Sequence, residues 1–271
     1  MSDVILLDGS AGTALWAMAE SAGVKKEPVW KYNIEHPEFV RELHRRYVAA
    51  GCRMIQTNTF EANRPAVQRS SAYSVPEVIT AAAKLAQESV SGTDVKVYAS
   101  FGPLATLLEP YGKLTKAETT EIYTEMAEAA VSAGVKTIAL ETFMDVEMMR
   151  LAAQAAKSCG AEVICSMTFG KRRRTMMGDT VQKIVDTLAP LGLAGIGMNC
   201  SFGPAEALEI IREYRETTDL PLYFKPNAGM GETYSAAQFA SELAPALPFV
   251  TYVGGCCGCD DTYIKEIGKL L

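Results

Sequence analysis

A single-domain (β/α)8 TIM barrel is the fold this sequence predicts, and three observations predict it. Eight short β-rich runs alternate with long amphipathic stretches, the 271 residues approach the roughly 250 typical of such a barrel, and most runs end on polar residues or cysteines. Regular alternation of strand and helix implies a parallel sheet with right-handed crossovers, and eight repeats in this length imply closure. An open doubly wound sheet is the alternative. Against it, Gly9-Ser10-Ala11-Gly12 lacks the third glycine of a dinucleotide fingerprint after the first run.

The first run, residues 4–7, closes on Asp8-Gly9-Ser10. Residues 37–50 read as a helix that turns at Gly51 into the second run, residues 54–59, which carries Thr57-Asn58-Thr59. The third, residues 95–101, leads into Gly102-Pro103, and the fourth, residues 137–140, closes on Glu141-Thr142. The fifth spans residues 162–169 and the sixth residues 195–200, which end on Cys200. The seventh, residues 222–225, ends on Lys225, and the eighth, residues 249–253, runs into Gly254-Gly255-Cys256-Cys257-Gly258. Between them, stretches such as residues 116–132 and 144–158 place apolar residues at three- and four-residue steps, the spacing of helices. Irregular pieces at residues 23–33, 107–114 and 171–179 follow strand ends, which puts them over the active face. No linker, repeat or low-complexity segment divides residues 1–271, so one domain is expected.

A hydrophobic content of 48% is enough for a full core. The net charge of −6 argues against a general nucleic-acid binder, since no basic excess exists to neutralise phosphates. Residues 4–7 are too short for a signal-peptide core and no run approaches the ~20 apolar residues of a membrane span, so a cytoplasmic protein is expected. There the seven cysteines stay reduced, and an odd number at irregular spacing is no disulfide framework.

In a barrel every strand ends on one face, so Asp8, Asn58, Glu141, Asn199, Cys200, Cys256 and Cys257 should converge. Cys256 and Cys257, adjacent behind a glycine pair, cannot enclose a metal by themselves. Cys200, at the end of another glycine-broken run, is the further cysteine in a matching context. Three thiolates would leave a fourth position open, as in a catalytic zinc site. Asp8 and Glu141 suit the ammonium group of a substrate, through charge-assisted hydrogen bonds. Asn58 and Asn199 suit turn organisation or support of the site. Lys225 has a sharper alternative, because a buried barrel lysine with a lowered pKa can form Schiff bases. Cys52, Cys159 and Cys165 read as structural, Cys259 as without a role, and Lys171-Arg172-Arg173-Arg174 as a solvated loop able to meet an acidic partner. His36 and His44, both in a helical region, leave little for a histidine-based nucleophile system. A non-catalytic zinc- or redox-responsive binding protein using Cys256, Cys257 and Cys259 is the reading of another class.

Several motifs taken together carry a resemblance: Asp8-Gly9-Ser10-Ala11-Gly12-Thr13, Gln56-Thr57-Asn58-Thr59-Phe60, Gly102-Pro103, Leu108-Glu109-Pro110-Tyr111-Gly112, Glu141-Thr142, Met198-Asn199-Cys200, Pro226-Asn227-Ala228-Gly229 and the paired-cysteine motif. The chain resembles the zinc-dependent homocysteine S-methyltransferase family, most nearly the homocysteine domain of its cobalamin-dependent methionine synthase branch. The resemblance implies zinc on Cys200, Cys256 and Cys257, the homocysteine amino group on Asp8 and Glu141, and its carboxylate at backbone amides near Gly9 and Ser10. Asn199 joins the substrate contacts. The implied reaction is methyl transfer to the homocysteine thiolate, giving methionine. Zinc holds a bound thiol as thiolate at neutral pH, so no general base is required. Residues 108–112, 174–180 and 225–229 look more like the cobalamin-dependent branch than the betaine or S-methylmethionine branches. These 271 residues hold no folate or cobalamin domain, so the expected donor is methylcobalamin or another methyl-corrinoid carried on a separate protein. The chain departs from the family pattern at Ala11 and Glu61, where methionine and glycine are expected, and at Cys259-Asp260-Asp261.

Overall fold

The computed structural model describes residues 4–229 and 234–271. Its eight strands are β1 (Ile5–Leu6), β2 (Met54–Gln56), β3 (Lys96–Phe101), β4 (Thr137–Phe143), β5 (Glu162–Met167), β6 (Gly195–Asn199), β7 (Leu222–Lys225) and β8 (Tyr252–Val253). All neighbours pair in parallel in the order β1-β8-β7-β6-β5-β4-β3-β2, and a parallel bridge between Leu7 and Met54 closes the ring. The barrel is therefore the expected (β/α)8 architecture.

Local chemistry explains why the helices start where they do. Helix Lys116–Ser132 matches the periodic stretch residue for residue because Thr115 and Glu118 form a reciprocal capping box at its start. Helix Val146–Ser158 begins two residues later than its apolar pattern, where the Asp145 side chain accepts from the amides of Glu147 and Met148. The strands were harder to bound. Residues 249–253 yield only a two-residue strand, since Ala244–Phe249, with two prolines, winds as a 3-10 helix. β4 runs three residues further than the β-rich run, across a register irregularity between Leu140 and Phe143.

Leu7, Met54, Tyr98, Ala139, Ile164 and Tyr223, one from each of six strands or strand ends, pack together in a cluster of their own inside the ring. The much larger cluster lies between strands and helices and includes Leu43, Tyr47, Ile138, Met149, Ile196 and Ile264. His44 is buried, and neither ring nitrogen has a hydrogen-bond partner. Burial lowers its pKa from 6.5 to about 4, against a weaker pull upward from Asp8. A depressed folded-state pKa means stability is present above the unfolded value and is lost as pH falls through the folded one. Unfolding titrations should show a loss of about 3 kcal/mol from this group between pH 6.5 and pH 4, and His44→Leu should flatten that part of the profile.

Candidate metal and substrate site

Three cysteines meet at the C-terminal mouth of the barrel. Cys200 lies just beyond β6 with φ +49°, a left-handed backbone that a non-glycine residue adopts at a cost of about 1–3 kcal/mol. Its amide donates to the Lys225 carbonyl at 3.2 Å, which anchors the turn on β7. Cys256 and Cys257 follow β8 through Gly254-Gly255, where the Gly255 amide donates to the Asp8 carbonyl and the Cys256 amide to that of Pro226. The Cys200 and Cys257 sulfurs are 3.3 Å apart, and all three sulfurs lie within 4.8 Å of one another. Tetrahedral zinc with bonds of about 2.3 Å sets its sulfur ligands about 3.8 Å apart, so the cluster fits that ion with small adjustments. Hydrogen bonding within the cluster drives the Cys200 thiol pKa up and the Cys257 pKa down. A bound dication is what would ionise all three.

Asn199 ties this mouth together. Its Oδ1 accepts from the Thr142 amide at 2.8 Å and the Ser166 hydroxyl at 2.7 Å, and its Nδ2 donates to Thr142 Oγ1 at 2.8 Å and faces the Cys256 sulfur at 3.7 Å. Thr142 is itself left-handed, φ +65°, so one buried amide holds a strained turn of β4 against one of the clustered cysteines. Asn199 thus braces the site.

Asp8, Glu141 and Lys225 form a buried triad below the thiols, each at most 3% exposed. Lys225 Nζ lies 3.2 Å from Asp8 Oδ1 and 3.8 Å from Glu141 Oε1, and 3.1 Å from the Tyr98 hydroxyl. Tyr98 and the Gln56 amide donate to Asp8; Ser100 and Tyr223 donate to Glu141. Burial pulls the Lys225 pKa down, but the Glu141 and Asp8 charges outweigh it and the net shift is upward. An ammonium ion-paired to two carboxylates, its pKa shifted up, lacks the free amine that Schiff-base formation needs, which argues against that reading of Lys225.

Gly9 and Ser10 shape the turn after β1. A Cβ on Gly9 would come within 2.3 Å of the Cys259 carbonyl and 2.7 Å of the Tyr47 hydroxyl, so only glycine fits. The Ser10 hydroxyl caps helix Ala11–Ser21 at the Thr13 amide, and its own amide donates to the Cys259 carbonyl. With the Ser10 amide committed to the Cys259 carbonyl and the Thr13 amide to Ser10 Oγ, the turn keeps the amides of Gly9, Ala11 and Gly12 to offer to a carboxylate, so Gly9 of the expected pair remains a candidate and Ser10 does not. A cavity of about 260 Å³ opens here, and Gly9, Ser10, Gly12, Glu141, Asn199, Lys225 and the three cysteines line it.

A profile of the homocysteine S-methyltransferase family matches residues 5–271. The chain belongs to the homocysteine S-methyltransferase family. Within the homocysteine S-methyltransferases it is 28% identical to a methionine synthase from Mycobacterium tuberculosis, over 87% of this chain but only 22% of that protein. It is 25% identical to betaine–homocysteine S-methyltransferase 1 from Rattus norvegicus, over 99% of this chain and 72% of that one. The homocysteine methyltransferase MmuM from Escherichia coli, in its metallated form, shares the fold with a TM-score of 0.82 at 22% identity, covering 98% of this chain and 96% of that one.

For this family member the remaining expectations divide. Cys52, Cys165 and Cys259 are buried, and Cys159 is half-buried at the end of its helix. Cys259 packs beneath Gly255 with its sulfur 3.8 Å from the Pro226 carbonyl, and it is not one of the three clustered thiols. Asn58 organises a turn by donating to the Val29 carbonyl and to Asn33 Oδ1. Of the three irregular pieces, residues 23–33 reach the cavity through Val29, whereas residues 107–114 and 171–179 do not line it. Among the described residues no helix is long and apolar enough to cross a membrane. The sequence reading passed over Tyr98, Ser100 and Tyr223, which hold the two acids. Their signal was slight: polar groups at inward positions of β3 and β7, visible once the register is known.

Proposed function

We propose that this chain is a zinc-dependent methyltransferase that moves a methyl group onto the thiolate of homocysteine or a close relative of it, with zinc on Cys200, Cys256 and Cys257. The observation that carries this reading is the set of three clustered thiols on the wall of a cavity at the barrel mouth. Zinc in such a site supplies a stabilised substrate thiolate at neutral pH. The protein's own residues do the rest. Cys200, strained and anchored on β7, and Cys256, braced by Asn199, keep the thiols in place before any metal or substrate arrives. Gly9, Ser10, Glu141 and Asn199 present the walls that orient the acceptor, and the first turn of helix Ala11–Ser21 offers amides to a carboxylate.

The donor in this proposal is a methyl-corrinoid carried on a separate protein. Similarity to a methionine synthase supports it, as do exposed Tyr111 and Met176, 76% and 62% accessible, on loops that follow β3 and β5 at the active end. Zinc-edge X-ray absorption tests the acceptor chemistry. Three sulfurs and one lighter ligand should become four sulfurs near ~2.3 Å when homocysteine is added. A shell of four sulfurs that ignores homocysteine would instead mean a closed, non-catalytic site.

A further inference from the structure

Glu141 on the cavity wall and Asp8 buried behind it already share a cation. All four of their carboxylate oxygens have donors from within the protein: Asp8 Oδ1 takes Tyr98 and Lys225, Asp8 Oδ2 the Gln56 amide, Glu141 Oε1 Tyr223 with Lys225 close by, and Glu141 Oε2 Ser100. The distances are those of ordinary charge-assisted hydrogen bonds, 2.5 to 3.2 Å, apart from the 3.8 Å approach of Lys225 to Glu141. Lys225 has little freedom to withdraw. It is 1% exposed, it pairs in register with Asn199, and its carbonyl receives the Cys200 amide. A second ammonium arriving from the cavity would have to displace it, or crowd two cations around two acids.

Taking the chain to be a zinc-thiolate methyltransferase, we propose that Lys225 stands in for the substrate's amino group, so that the acceptor site is built for a thiol carboxylate and does not read an α-ammonium. Asp8 and Glu141 then serve to hold Lys225 at the cavity wall. Glu141 and Lys225 both line that wall, and the triad's net charge is −1 where an acid pair alone would carry −2. A site that has halved its charge internally and placed a donor on every carboxylate oxygen gains less from a second cation, because that cation must shed its water and meet the Lys225 charge at close range. Lys225 is a specificity-determining residue in this account.

The test compares homocysteine with its deamino analogue 4-mercaptobutanoate, two thiols that differ only in the ammonium. Cobalt(II) replaces zinc in the full-length protein, and each thiol is titrated against the sulfur-to-cobalt charge-transfer band, which reports ligation without a methyl donor. The two affinities should agree within about threefold, whereas an ammonium bound by a buried acid pair would favour homocysteine by about tenfold or more. Preference for homocysteine of that size overturns the proposal. The variant Lys225→Met supplies a second arm: with the internal cation gone, the acid pair should favour homocysteine by at least about tenfold. An unchanged ratio in a folded variant also counts against the proposal. The wild-type comparison is decisive even where the variant fails to fold. If neither thiol perturbs the band, the methyltransferase reading itself falls; if both do and homocysteine is strongly preferred, only the role given to Lys225 falls.

Discussion

Cys200→Ala should leave the barrel folded, strip most of the zinc from the purified protein and lower methyl transfer by about a thousandfold or more. Removing one of three thiolates leaves two neighbouring cysteines, a donor set too small and too one-sided to hold zinc. The stabilisation lost at the substrate thiolate is several kcal/mol, and each 1.36 kcal/mol is about tenfold in rate. Stability should change little, because a left-handed residue with φ +49° is being replaced by one that is no less strained there, and the thiol is only half-buried. Metal content by mass spectrometry and unfolding midpoints separate these effects. Cys259→Ala is the matching control. Its sulfur is buried outside the cluster, so zinc and turnover should survive, with a packing cost of about 1 kcal/mol. Loss of zinc in Cys259→Ala would point to a closed four-thiolate centre and the binding-protein alternative.

Gly197→Ala should be among the most damaging single-methyl additions at the described residues. A Cβ at this position would lie 1.9 Å from the Tyr223 carbonyl oxygen and within 3 Å of two further backbone atoms of the same residue. Backbone cannot rotate away, so β6 and β7 would have to separate at the register pair Gly197–Tyr223. That pair sits two residues before Asn199 and Lys225, and Tyr223 is a donor to Glu141. The expected result is a loss of about 3 kcal/mol or more, read as a drop in the denaturant midpoint, together with weakened zinc retention. Gly12→Ala is the contrast, since an added Cβ there meets nothing within 4 Å. An equally small effect at Gly197 would mean that the strands pack more loosely than this register requires.

Much of the molecule was legible in residue order because it depends on local chemistry. Capping residues and three- and four-residue periodicity define helix Lys116–Ser132 to the residue, and glycines and polar residues mark where strands stop. The three thiols were legible for the same reason: each sits at a strand end, and a barrel sends all strand ends to one face. Strand lengths were less so. The 3-10 turn at Ala244–Phe249 and the left-handed Thr142 answer to proline geometry and to the Asn199 clamp, which apolar runs do not reveal.

Sequence by itself determined the alternation of elements and which three cysteines cluster at the mouth, since residue type and position along a strand carry both. Tertiary structure alone decided the partner of the acids. Asp8 and Lys225 are 217 residues apart, and read separately they suggest a free ammonium-binding carboxylate and a reactive lysine. Only the closed ring, with β1 beside β8 and β7 next in line, brings them within 3.2 Å inside the buried barrel, where opposite charges must pair or lose their charge. Long-range electrostatic pairing leaves no local trace in the order of residues, and here it joins a lysine to two acids that residue order leaves apart.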